Sequence, residues 1–178
     1  MKPVAVCLGG AKSVWSDLAR ARPLLGDRPC LIVACNYAGI AFPGHLDAWA
    51  TLHPERFDAW REERGRTGRN TDYRAFVHAA GGEAETEILA YCRYGSSGLY
   101  MAQVAIEAMG AGGAILCGVP MDDTGEHIHW PGAWVASHHY RAAFVEAHAA
   151  GLPIRSMSGW TAELFGTPDR AWIEELSR

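Results

Sequence analysis

The two most informative stretches of the chain are RYGSSGLYMA at residues 93–102 and AILCGVPMDD at residues 114–123. The first is a polar, Gly-rich loop that opens a helix, and the second is a buried strand that ends in a pair of carboxylates. A helix start offers unpaired backbone N–H groups and the positive end of the helix dipole, which together attract anions. The two stretches therefore predict an anion or nucleotide site at the end of a strand.

Strands and helices alternate along the rest of the chain. Short apolar runs predict strands buried on both faces at residues 4–8, 31–35, 48–52, 73–79, 114–119 and 154–157. Apolar residues at helical spacing, together with start and stop signals, predict helices after Ser13, which is a candidate N-cap, and over residues 54–64, 96–109, 133–150 and 168–176. Such repeated βα units predict an α/β fold, a doubly wound, mostly parallel Rossmann-like sheet in a single nucleotide-binding domain over residues 1–178.

Composition limits the classes of partner. The chain has 178 residues, 49% of them hydrophobic, and a formal net charge of −4, so we expect one core and no general binding of nucleic acid. No apolar run approaches the roughly 18 residues that span a bilayer, and the N-terminal segment lacks a signal-peptide pattern, so we expect a cytoplasmic protein without a membrane partner. The composition leaves open whether the protein forms a homo-oligomer.

The five cysteines, at positions 7, 30, 35, 92 and 117, include no C-x-x-C pair. They are typical of small buried hydrophobic residues in a reducing compartment.

Ligands of open parallel sheets bind beyond the carboxyl ends of the strands. The residues that follow predicted strands or begin predicted helices are therefore the candidate ligand contacts: Gly9, Gly10, Ser13, Asn36, Ser96, Ser97 and Gly98. The turn at residues 9–13, GGAKS, matches neither the Walker nor the dinucleotide fingerprint, so it is either a ligand turn or an ordinary tight turn. Asn36 likewise suits either a base or ribose contact or the turn at residues 36–39 that ends the second strand.

Acidic and imidazole side chains are concentrated after the strand at residues 114–119. Asp122 and Asp123 are candidate ligands for Mg²⁺, while the histidines that follow do not complete a tetrahedral zinc set. His129, His138 and Asp122 are the candidate catalytic residues, because an imidazole titrates near neutral pH. His138 and His139 lie on a predicted helix, where we expect adjacent side chains to diverge.

Three of the seven tryptophans, Trp130, Trp134 and Trp160, lie near the predicted site. An aromatic wall can stack on a base or a sugar, but tryptophan is as often a core residue, and the core interpretation is favoured here.

The order of these motifs resembles a known superfamily. The glycine turn at residues 9–13, the Cys35–Asn36 pair, the loop and helix start at residues 96–102 and the strand end at residues 118–122 are similar to those of the bacterial sialyltransferase-like group. They are also similar to those of the related 6-hydroxymethylpterin diphosphokinase-like proteins. In the sialyltransferases the matching positions contact a cytidine nucleotide-sugar and a late histidine acts as base. The resemblance does not fix which of His127, His129, His138 and His139 corresponds to that base.

The leading hypothesis from the sequence is a transferase that binds a nucleotide or nucleotide-sugar and moves a glycosyl group to an unidentified acceptor, with a late histidine as base. The first alternative is Mg²⁺-dependent pyrophosphoryl transfer, with Asp122 and Asp123 holding the metal. The second is a non-catalytic nucleotide-binding module.

Overall fold

The computed structural model describes residues 2–81, 85–91, 95–123, 125–130, 132 and 137–176. In chain order the elements are β1 (Val4–Leu8), α1 (Val14–Leu25), β2 (Cys30–Cys35), α2 (Asn36–Ala41), β3 (Ala48–Thr51), α3 (Pro54–Arg66), β4 (Arg74–Val77), β5 (Glu87–Ile88), α4 (Ser97–Gln103), β6 (Gly113–Cys117), α5 (Arg141–Ala149), β7 (Ile154–Ser156), α6 (Gly159–Phe165) and α7 (Arg170–Glu175). A π-helical turn, Val104–Ala108, continues α4, and a 3₁₀ turn, Ser137–Tyr140, precedes α5.

The seven strands form one parallel sheet in the order β5-β4-β3-β2-β1-β6-β7. The predicted α/β, Rossmann-like fold is confirmed. Strand β1 lies between β2 and β6, with Val4 level with Cys30 on one side and Gly113 on the other. The chain first builds the sheet outward from β1 to β5 and then returns to place β6 beside β1. The gap between β1 and β6 is therefore the topological switch point, where such sheets bind ligands.

Both faces of the sheet are covered, which explains why the central strands are continuously apolar. Ala5 and Cys7 of β1 pack in one core cluster with α4, and the alternate residues of β1 pack in a second cluster with α1. Helix α4 is buried along its whole length and contacts β3, β2, β1 and β6. Because α4 crosses the centre of the sheet, its N-terminus is fixed at the carboxyl edge.

Several predicted elements have different bounds or caps. Ser13 occupies the N-cap position of α1, but its side chain makes no capping hydrogen bond. The turn expected at residues 36–39 is wrong, because Asn36 begins α2. The strand expected at residues 73–79 is the shorter β4, and β5 and α6 were not predicted.

The long helix expected at residues 133–150 is shorter. Residues 133–136 lie outside the described part of the chain, and α5 begins only at Arg141, after the 3₁₀ turn. His138 and His139 lie in that turn with their ring centroids 4.0 Å apart, so the expected divergence of their side chains is wrong.

The cysteine prediction holds at three positions. Cys7, Cys35 and Cys117 are buried, and burial raises the pKa of Cys35 to about 12. Cys30, at the exposed start of β2, contradicts the expectation of burial, and Cys92 lies outside the described residues. Within the described chain, no helix is both long enough and apolar enough to cross a membrane.

Candidate ligand-binding cleft

A cleft of about 360 Å³ opens at the carboxyl edge of the sheet. It lies over the ends of β1, β2 and β6 and against the N-terminus of α4, so it occupies the switch point. Seven of the predicted site residues line it together: Gly9, Gly10, Asn36, Ser96, Ser97, Gly98 and Asp122. Loops that are far apart in sequence therefore meet in one cavity, and the role of these residues as ligand contacts stays a prediction.

The glycines of the first turn are required by close packing. A Cβ atom on Gly9 would lie 2.4 Å from the Gly118 carbonyl oxygen, and one on Gly10 would lie 2.4 Å from His127 Nε2. Neither position has room for a side chain, so the backbone itself forms the floor of the cleft. Among the described residues no protein acceptor is found for the Gly10 N–H, which leaves it available to a ligand.

Asn36 has a fixed and strained geometry. Its φ of +47° lies in the left-handed region, which asparagine tolerates better than most residues. Its backbone carbonyl accepts a hydrogen bond from Trp49 Nε1 at 3.1 Å, and its side-chain Oδ1 accepts one from Thr51 Oγ1 at 2.8 Å. With Oδ1 occupied, the Nδ2 amino group is the part of this amide that remains to donate to a ligand.

Two serine hydroxyls stand at the start of α4. Ser96 Oγ accepts a hydrogen bond from the Gly98 N–H at 3.2 Å, which is an N-cap interaction, and Ser97 Oγ accepts one from the Leu52 N–H at 3.3 Å. Each hydroxyl already serves as an acceptor for the protein and keeps its own proton. This end of the cleft is therefore rich in hydrogen-bond donors.

Asp122 lines the same cleft. Its Oδ1 atom is inaccessible to solvent and has no hydrogen-bond partner among the described residues. An unpaired buried carboxylate oxygen is costly, so the Asp122 carboxylate is a lining group that gains from a ligand that donates a hydrogen bond.

His127 lines the cleft, although the candidate catalytic residues chosen from the sequence were His129, His138 and Asp122. Its Nδ1 accepts hydrogen bonds from the backbone N–H groups of His129, at 3.1 Å, and Trp130, at 3.4 Å. Burial lowers the pKa of His127 below its ordinary value, with the neighbouring His129 as a second cause. The alternation HIHW at residues 127–130 was the available signal, because an extended segment places His127 and His129 on one face.

The loop that carries His127 pairs with the first glycine turn. Ala11 and His127 form an antiparallel bridge, flanked by hydrogen bonds from Lys12 N to Glu126 O at 2.7 Å and from Ile128 N to Gly10 O at 2.8 Å. The Lys12 ammonium also pairs with the Glu126 carboxylate. Lys12 is thereby held outside the lining of the cleft.

Aromatic side chains form one wall of the cleft. Tyr37, Trp60 and Trp130 line it, and Tyr37 is stacked on His129 with ring centroids 3.8 Å apart. Arg56 places a guanidinium at the exposed rim. Trp160 instead packs against Phe144 away from the cleft, and Trp134 is outside the described residues.

Four of the predicted site residues do not line the cleft: Ser13, Asp123, His129 and His138. Asp123 Oδ1 accepts a hydrogen bond from Ser137 Oγ at 2.6 Å and lies 3.7 Å from His138 Nδ1. The Ser137 hydroxyl is the main cause of the lowered pKa of Asp123. In the described ranges, no three His, Cys, Asp or Glu side chains are grouped so that they could hold a metal ion.

The fold and the cleft define an α/β protein with a donor-rich cavity at the switch point of a Rossmann-like sheet. Comparison of the chain with protein-family models, with curated proteins and with solved structures finds no match. The functional inference therefore depends on the geometry of the cleft.

Proposed function

We propose that this cleft binds a nucleotide or nucleotide-sugar and that the protein transfers the glycosyl group to an acceptor hydroxyl. The observation that carries the proposal is that the lining of the cleft combines hydrogen-bond donors with one carboxylate. Backbone N–H groups and serine hydroxyls at Gly10 and residues 96–98 suit phosphate oxygens, whereas the Asp122 carboxylate suits a group that donates a proton.

The other lining residues fit the remaining parts of such a ligand. The aromatic wall of Tyr37, Trp60 and Trp130 offers stacking surface for a base or a sugar ring. The Asn36 amino group offers a donor to the nucleoside, and Arg56 at the rim adds a positive charge for an anionic ligand. The sequence resemblance to the sialyltransferase-like group points to the same ligand class.

In the proposed reaction Asp122 is the base. The acceptor hydroxyl gives its proton to the Asp122 carboxylate while its oxygen forms a bond to the anomeric carbon. The bond from that carbon to the phosphate oxygen breaks, and the electron pair leaves with the nucleotide. Donors at Gly10 and at the start of α4 stabilise the negative charge that develops on the departing phosphate.

Binding is tested first with an isosteric change at Asn36. Asn36→Asp keeps the oxygen that accepts from Thr51 and replaces the free amino group by a negatively charged oxygen. We expect calorimetry with nucleoside diphosphates and nucleotide-sugars to show at least roughly tenfold weaker binding, because a donor to the ligand is lost. Ser16→Ala, on the exposed side of α1, is the control and should leave affinity unchanged.

Catalysis is tested with Asp122→Asn. Water serves as an acceptor that needs no identification, so release of nucleotide from a panel of nucleotide-sugars reports turnover. We expect the variant to bind the nucleoside diphosphate like the wild type and to turn over roughly 10² to 10⁴ times more slowly, as for loss of a general base. Equal turnover by both proteins would contradict the role of Asp122.

The same assays separate the two alternatives. The binding assay and the turnover assay are each run with Mg²⁺ and with a chelator, because a single carboxylate and the substrate phosphates can together hold Mg²⁺. Tight binding of one nucleotide with no turnover of any nucleotide-sugar would favour a non-catalytic binding module. Absence of binding across the whole panel would refute the proposal.

A further inference from the structure

The imidazole of His127 has a defined role for each ring nitrogen. Nδ1 faces two backbone N–H donors, from His129 and Trp130. A neutral imidazole has one acceptor nitrogen and one N–H donor, so Nδ1 is the acceptor and the proton resides on Nε2. Nε2 stands directly over Gly10, within the cleft.

From this geometry we infer that His127 acts as a neutral hydrogen-bond donor, through Nε2–H, to a phosphoryl oxygen held at the Gly9–Gly10 turn. This inference rests on the proposed function and assigns the phosphate end of the ligand to β1. It also excludes His127 as the base in this geometry, since the lone pair of Nδ1 is already used.

The neutral state is favoured by the surroundings of the ring. Protonation would place a second N–H, on Nδ1, against the two backbone N–H donors. Burial and the nearby His129 lower the pKa of His127. The Tyr37 ring, whose centroid lies 5.8 Å from that of His127, is uncharged. The Glu126 carboxylate on the same loop is paired with Lys12, so it is not free to favour the imidazolium cation.

His127 Nε2 and the Gly10 N–H lie at the same turn. In the proposed complex one phosphoryl oxygen accepts from both. A neutral donor aimed at that oxygen stabilises charge as it develops on the departing phosphate and needs no proton transfer to do so. The bridge between Ala11 and His127 fixes the ring relative to the turn.

Nitrogen-15 NMR of the imidazoles tests the proton position without any ligand. At pH 7.5 we expect His127 to be neutral with its proton on Nε2. His138 of the same molecule, whose Nδ1 lies 3.7 Å from an Asp123 carboxylate oxygen, is an internal reference for an exposed imidazole outside the cleft. A proton on Nδ1 of His127, or a charged ring, would overturn the inference.

Binding by variants tests the donor role. A glutamine side chain carries an amide N–H that can lie near the place of Nε2–H, so His127→Gln should keep the affinity for a nucleoside diphosphate and for inorganic pyrophosphate within a few-fold. His127→Ala should lose at least roughly tenfold for both probes. His148→Gln, at an exposed ring on α5 that does not line the cleft, is the matched control and should bind like the wild type.

Failure of the donor role of His127 can be distinguished from failure of the proposed function. If the wild type binds a nucleoside diphosphate and His127→Gln is as weak as His127→Ala, the donor role is refuted while the proposed function stands. Loss of diphosphate affinity without loss of pyrophosphate affinity would refute the assignment to the phosphate end. If the wild type binds neither probe, the proposed function fails and the ligand half of the inference fails with it, and the NMR result alone decides the protonation state.

Discussion

Removal of the buried Asp17 side chain should loosen the edge of the cleft. One oxygen of this carboxylate, Oδ2, accepts from the Gly118 N–H at 2.9 Å and from Ser158 Oγ at 2.6 Å, and Asp17 is only 1% exposed. Asp17→Ala leaves the buried Gly118 N–H without an acceptor, at about 1 to 3 kcal/mol, and removes the main partner of the half-buried Ser158 hydroxyl at a smaller cost. We expect a total loss of about 2 to 4 kcal/mol, which for a chain of this size lowers Tm by roughly 2 to 4 °C per kcal/mol.

The isosteric variant decides what the carboxylate contributes. Asp17→Asn keeps an oxygen at the place of Oδ2 and changes only the atom that faces Arg20, whose side chain is 57% exposed. An ion pair with such an exposed partner contributes about 0 to 1 kcal/mol, so Asp17→Asn should be nearly as stable as the wild type. Thermal unfolding of both variants is compared with that of Asp27→Ala, a control on the surface. Equal destabilisation by the Asn and Ala substitutions would show that the Oδ2 hydrogen bonds do not stabilise this edge of the cleft.

Two further predictions concern stability. Arg64 is fully buried and donates hydrogen bonds to the carbonyl oxygens of Gly39, Phe42 and Asn70. Arg64→Met should lower the free energy of unfolding in urea by about 3 to 5 kcal/mol, and Arg64→Lys should not restore it, because a lysine cannot reach all three acceptors. Wild-type stability in the lysine variant would contradict the prediction. The pKa of His127 is lower in the folded protein than its ordinary value of 6.5, so the unfolded chain binds the proton more readily. The free energy of unfolding should therefore decrease as the pH falls through and below 6.5, and it should be constant above pH 6.5. The urea midpoint measured from pH 5.5 to 7.5 should show a component of this pH dependence that His127→Gln lacks, and identical profiles for the two proteins would contradict this account.

The elements that could be predicted are those whose local pattern and tertiary role agree. Strand β1 has the predicted bounds because five apolar residues followed by two glycines suit only a buried strand with a tight end. Helix α2 was missed because its start, Asn36, has a left-handed backbone that locally resembles a turn. Strand β5 is two residues long and exposed, so no apolar periodicity marks it.

The cleft could be predicted in position but not in all of its members. Residues such as Gly10 and Ser97 lie directly beyond strand ends or at a helix start, where the sheet topology alone brings them together. His127 reaches the cleft through its bridge to Ala11, which is distant in sequence. Tyr37 reaches it from α2, the helix that follows β2 and that was not predicted. His138 was selected for its chemistry, but its turn directs it toward Asp123 instead.

Amide chemical shifts during titration with a nucleoside diphosphate show whether the switch-point cleft binds a nucleotide-type anion. We predict that the largest changes occur at Gly9, Gly10 and Gly98, with smaller ones at Asn36. Changes concentrated instead on the separate groove lined by Leu18 and Phe42, or no saturable change at all, would contradict the claim.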